Sequence, residues 1–118
     1  TLMASVDPNL GLSYGWTLGE SGWHEGMDSN LKRLGAVVGL SVKDRDLATP
    51  PSNPADGERY LVPASASGAW AGKTGQIAVC LAGNWVFYPP KVGWLCFIED
   101  ESVLAVYKSA GWSAGIAL

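Results

Sequence analysis

The stretch QIAVCLAGNWVFY, residues 76–88, decides the fold class. Its two halves, Gln76–Leu81 and Trp85–Tyr88, are rich in β-branched and aromatic side chains, which suit a pleated, half-buried surface. Between them stands Ala82-Gly83-Asn84, and a short glycine-containing connection between two such runs specifies a β-hairpin. Three further runs of the same kind follow: Trp94–Ile98, Val103–Tyr107 and Trp112–Ala114. Pro89-Pro90 separates the first hairpin from the next, and Glu99–Ser102 and Lys108–Gly111 make the later connections. Upstream, Arg59–Val62 supplies one more run. The even spacing predicts a small antiparallel β-meander, sandwich- or barrel-like, over residues 58–118.

Working outward, residues 41–57 read as a loop, because Pro50, Pro51 and Pro54 exclude helix and central strand and Asp56-Gly57 is a turn signal. Residues 24–40 read as an amphipathic helix in which Met27, Leu31, Leu34 and Val38 form one apolar stripe. Gly35 and Gly39 weaken that helix, which suggests close packing against another backbone or an early end. A single short helix cannot bury its own face, so the stripe must lie on the β region or on copies of itself. Residues 1–23 carry Asp7, Pro8, Gly11, Gly15 and Gly19 and no sustained period, and read as an extended docking arm with Tyr14, Trp16 and Trp23 as its anchors. The expected class is α+β, mostly β, in a single domain.

Composition narrows the function classes. The 118 residues carry 15 glycines and six tryptophans, 16% charged residues and a net charge of −3. Scattered basic residues in a slight acidic excess argue against nucleic acid as the main partner, since phosphate neutralisation needs clustered Lys and Arg. The charge-free run through Ile77–Pro90 is broken by Gly83, Asn84 and the proline pair, short of the roughly 20 apolar residues of a membrane helix. No basic segment followed by an apolar one opens the chain, so no signal peptide is expected. Cys80 and Cys96 lie inside predicted strands without CxxC spacing. Two buried free thiols are the expectation, and a cross-strand disulfide is the alternative.

Glycine immediately precedes Trp16, Trp23, Trp94 and Trp112 and stands two positions before Trp70 and Trp85. Glycine permits the turn, and a broad indole then starts the next element and covers its neighbour. The leading reading makes the rings core or sheet cover. The alternative makes Trp70, Trp85 and Trp94 a platform for stacking sugars, and a subunit interface is compatible with either.

Chemistry-bearing motifs are weak. Gly72-Lys73-Thr74 lacks the spacing from Gly68 and the following helix that a phosphate loop needs, so a glycine-rich turn is expected there. His24 is the lone histidine and completes neither a metal site nor a triad with Ser21 or Ser29. Carboxylates gather at Glu99, Asp100 and Glu101 and around the proline-rich loop at Asp44, Asp46, Asp56 and Glu58. Neither group has a calcium-loop or glycosidase pattern, and solvated turn charges are the expectation. No catalytic, cofactor-binding or metal-binding residues are assigned, no cofactor is called for, and the chain is not expected to be an enzyme.

Several segments occur in an order that carries a resemblance: NLGLSYGWTLGESGW, then MDSNLKRL, an Asp-Arg-Asp-Leu-x-x-Pro-Pro stretch at Asp44–Pro51, Gly-Glu-Arg-Tyr at Gly57–Tyr60, Gly-Ala-Trp-Ala-Gly-Lys at Gly68–Lys73, and Trp-Val-Phe-x-x-Pro at Trp85–Pro90. Over roughly residues 9–112 the chain resembles a domain family of unknown function from tailed phages and gene transfer agents. Cys80 and Cys96 are departures. The resemblance implies a structural virion protein, a module of a tail fibre, baseplate or head spike that connects parts or supports host attachment. It implies other virion proteins as partners, a homo-oligomer with a trimer as one form, and no catalytic residues. The alternative function is a carbohydrate-binding module for host surface polysaccharide. Symmetry would place Met27, Leu31, Leu34, Gly35 and Val38 in the contact between copies.

Overall fold

In the computed structural model, which describes residues 4–118, the elements are β1 (Ser5–Val6), β2 (Ser13–Tyr14), α1 (Trp23–Val37), β3 (Ser41–Val42), β4 (Arg59–Leu61), a 3₁₀ turn (Gly68–Trp70), β5 (Ile77–Leu81), β6 (Asn84–Tyr88), β7 (Leu95–Ile98), β8 (Val103–Lys108), β9 (Gly111–Trp112) and β10 (Ile116–Ala117). They group into two compact units, one ending at Val38 and the other beginning at Gly39. The class is α+β and antiparallel-rich, as the sequence predicts. The first three residues of the expected arm lie outside the described residues.

In the N-terminal unit the arm is not simply extended. Asp7 accepts the N–H groups of Asn9 and Leu10 at 3.2 and 2.7 Å, an Asx turn that reverses the chain and lets β1 pair antiparallel with β2. Those bonds favour the charged carboxylate and hold the Asp7 pKa below its ordinary value. Asn30, 8% exposed, then acts as a surrogate peptide: its Oδ1 accepts the Ser13 N–H and its Nδ2 donates to Ser13 O, both at 2.8 Å. The helix presents this amide to β2 as a further strand would. The helix stops at Val37, earlier than expected, because Val38 turns to an extended conformation and Gly39 has a φ of 61°.

Trp16 packs over Gly26, where any Cβ would run into the indole ring. Gly26→Ala ordinarily strengthens a helix by about 0.5–1 kcal/mol. Here we expect a net loss of about 1–2 kcal/mol from overpacking, measured by urea denaturation, with Trp16 fluorescence moving to the red as the ring is displaced. A gain in stability would show that Trp16 is not seated there.

In the C-terminal unit β4, β5 and β6 form one antiparallel sheet, with Val79 opposite both Arg59 and Val86. The hairpin at residues 81–84 is a two-residue turn whose central Ala82 and Gly83 both have positive φ, the sense that matches strand twist. The second sheet runs β10-β8-β7-β3, with β9 also paired to β8. The expected meander is corrected in two respects. First, β3 lies in the stretch read as loop and pairs parallel with β7, Ser41 opposite Phe97 and Val42 opposite Ile98. Parallel neighbours need a long connection, and everything from Lys43 to Trp94 provides it. Second, the sheets do not close into a barrel. They are stitched instead at two places. Lys43 N–H donates to Arg59 O and Leu61 N–H to Asp44 O, joining β3 to β4, and the Trp112 indole donates to Gly75 O at 3.0 Å.

Glycines before tryptophans do what the sequence implies. Gly15, Gly22, Gly93 and Gly111, directly before a Trp, and Gly68 and Gly83, two before one, all have positive φ. Trp23 opens α1 and Trp112 lies in β9. The core has Trp70, Ile77, Ile98, Val42 and Cys96 as its largest fully buried side chains. On one side of the β4-β5-β6 sheet Tyr60, Val62, Trp70 and Ala78 cluster with Leu47, Ala66, Trp85 and Phe87 packed around them. The rings of Tyr60, Trp70 and Trp85 meet with centroids 5.2 to 6.0 Å apart, the Trp70–Trp85 pair nearly edge to face.

Candidate interaction surfaces

The N-terminal unit exposes Val6, Tyr14, Leu18, Trp23, Met27, Leu31 and Val38, an unusual load for so short a segment. The helical stripe remains open: Leu31 and Val38 are each 59% exposed, Met27 is exposed, and Leu34 is half-buried. A Cβ on Gly35 would meet nothing within 4 Å, so this glycine is free for an approaching surface. The stripe alternates spacings of four and three residues, the seam period of a coiled coil. Of the expected arm anchors, Tyr14 and Trp23 are exposed, whereas Trp16 is occupied by its own helix at Gly26.

The tryptophan platform is not assembled. Trp70 is 0% exposed at the centre of an aromatic cluster and cannot stack on a ligand. Trp85 is half-buried against Trp70 and Tyr60, and Trp94 is half-buried at the entry to β7. Burial follows from the sheet: the face that carries Trp85 and Phe87 of β6 is the one that Trp70 covers.

Carboxylates far apart in sequence do converge. Asp44 and Asp46 of the proline-rich loop and Asp100 of the β7–β8 turn bring oxygens within 4.8 Å of one another. Desolvation first, then the neighbouring charges of Asp44, Glu101 and Asp46, raise the Asp100 pKa. Between the first two, Arg45 points the other way. Its Nε and Nη2 donate to the Glu101 carboxylate at 2.9 and 2.7 Å, and Nη1 and Nη2 also donate to Ser113 O and Ala114 O at 2.8 and 2.7 Å. The guanidinium therefore pins the β7–β8 turn and the β9–β10 segment to the loop, and it holds Glu101 below the ordinary carboxylate pKa. The Asp-Arg-Asp pattern thus places a structural lock, Arg45, between two acids that face Asp100.

Among the described residues, the C-terminal unit carries an apolar groove and a polar cleft. An apolar groove of about 270 Å³ is lined by Leu95, Leu104, Val106, Gly115 and Ile116 on the β7-β8-β10 sheet. A polar cleft of about 310 Å³ is lined by Ser41, Lys43, Asp56, Glu58, Arg59 and Glu99. No run of sequence announces the cleft, since its residues come from three separate segments.

The remaining candidates are structural. Lys73 sits over the Phe87 ring, 5.1 Å from its centroid, and β5 rather than a helix follows it. His24 is exposed at the start of α1 in an edge contact with Trp23. Cys80 and Cys96 are buried and free, and burial pushes the Cys96 thiol up to about 12, far from a reactive thiolate. Among the described residues no helix is long and apolar enough to cross a membrane.

A family model described as a protein of unknown function (DUF2793) matches residues 27–113. Comparison with curated proteins gives no match. The matched region begins at Met27, the first residue of the apolar stripe, and takes in the Arg45–Glu101 pair, the polar cleft and the five longer strands, β4 to β8.

Proposed function

We propose, for a chain that belongs to the DUF2793 family of proteins of unknown function, that it serves as a structural assembly module of a phage or gene-transfer-agent particle, within a tail fibre, baseplate or head spike. The observation that carries this is the uncovered apolar seam Met27, Leu31, Leu34 and Val38 on a unit that exposes other apolar side chains as well. A seam of coiled-coil period is complementary to copies of itself, and cyclic symmetry brings identical helices together. Resemblance to phage and gene-transfer-agent domains supports the virion setting and a trimer. The β-rich unit, locked by Arg45, would then connect particle parts or support attachment to a host.

Analytical ultracentrifugation of the chain tests the assembly. A homo-oligomer is expected at micromolar concentration, and Leu31→Asp should weaken association at least about 100-fold, since each copy would bury an unpaired carboxylate. Leu31 is exposed in the single chain, so circular dichroism should be unchanged. A wild-type monomer at these concentrations overturns the proposal.

A further inference from the structure

The polar cleft of the C-terminal unit is built rather than incidental. Its floor is the junction of β7, β3 and β4: continuing the register, Glu99 follows the Val42–Ile98 pair beside Lys43, whose N–H bonds Arg59 O. Its other wall is the turn from Ala55 to Glu58. Each carboxylate is fixed by a hydrogen bond while keeping further lone pairs. Glu99 accepts the Ser41 hydroxyl at 2.6 Å, Glu58 accepts the Tyr60 hydroxyl at 2.9 Å, and Asp56 accepts the Ala82 N–H at 2.8 Å. The Lys43 ammonium lies 3.6 Å from Glu99, a loose pair that leaves donors to spare. Fixed acceptors thus alternate with cationic donors around a volume at the small end of ligand pockets, which run from about 300 Å³ upward.

Charge selects among ligands. Three carboxylates against Lys43 and Arg59 leave the cleft slightly negative, which disfavours phosphate and other multivalent anions. The mainly polar lining offers little to an apolar guest. A zwitterion would have to break the Lys43–Glu99 pair, whereas a hydroxyl can donate to Glu99 and accept from Lys43 without separating them. We propose that this cleft binds a neutral pyranose through vicinal hydroxyls, with Glu99 and Lys43 as the central pair and Glu58 and Asp56 as flanking acceptors. The site is separate from the helical seam and from the tryptophans.

The test is a titration of the 118-residue chain with the methyl glycosides of glucose, mannose and galactose, followed by amide nuclear magnetic resonance shifts. At least one glycoside should bind saturably, with a dissociation constant on the order of 1 mM and shifts confined to residues around 41–43, 55–59 and 99. Glu99→Gln and Lys43→Ala, both at solvent-exposed side chains, should keep the spectrum of the fold and weaken binding about tenfold or more. Absence of binding by all three glycosides overturns the proposal. So do shifts centred on Trp85 and Trp94, binding unaffected by both substitutions, or saturable binding of glycine or phosphate in their place.

Discussion

Trp70→Ala is expected to cost about 3–5 kcal/mol, the range for removing a large aromatic side chain from a packed interior. Trp70 is wholly buried, and its ring holds Tyr60 and Trp85 in edge and tilted contacts, so deletion leaves a cavity that a sheet on one side cannot collapse to fill. Against a typical domain stability of about 5–15 kcal/mol, the loss is a large fraction, and the thermal midpoint should fall on the order of 15 °C. Trp70→Phe should cost far less. The indole Nε1 is buried without a hydrogen-bond partner, so replacement by Phe forfeits volume and contact but no bond. Urea denaturation of both variants checks this, and a Trp70→Ala loss below about 1 kcal/mol would remove Trp70 from the centre of the core.

Arg45→Ala has the second largest expected effect, about 2–4 kcal/mol, because one guanidinium satisfies both the Glu101 carboxylate and the carbonyls of Ser113 and Ala114. The acid side separates the two parts of that effect. Glu101 has its folded pKa depressed by the Arg45 bond, so its contribution is full above the unfolded value of about 4.3 and is lost as pH falls through the lower folded value. Glu99, held down first by the Ser41 hydroxyl and then by Lys43, loses its contribution in the same window in wild type and variant alike. The stability gap between wild type and Arg45→Ala should therefore narrow below about pH 4 without closing, since the bonds to the two carbonyls do not titrate. A gap constant from pH 7 to pH 3 would mean that Glu101 contributes nothing to the lock.

Strand propensity located the five longer strands, β4 to β8, to within a residue or so, because they draw on local features: β-branched side chains, aromatic rings and the Ala82-Gly83 turn. The two-residue strands β3 and β10 carry too few residues for any period, and they exist only because β7 and β8 offer them an edge. Trp70 could be read as core or as platform until the sheet showed which face it covers. The arm could be read as irregular because the partner that orders it, the Asn30 amide, sits on the helix 17 residues away from Ser13.

The glycine and tryptophan pattern, the hairpin at residues 76–88 and the apolar seam of α1 were determined by sequence alone, since each depends on neighbours within a few positions. Tertiary structure alone decided the parallel β3–β7 pair, the Arg45 lock and the polar cleft. Each rests on contacts between residues 56 to 69 positions apart, as Ser41 is from Glu99, Arg45 from Glu101 and Arg45 from Ala114, and no local preference encodes such meetings. They arise where a long connection brings a loop back across a sheet edge.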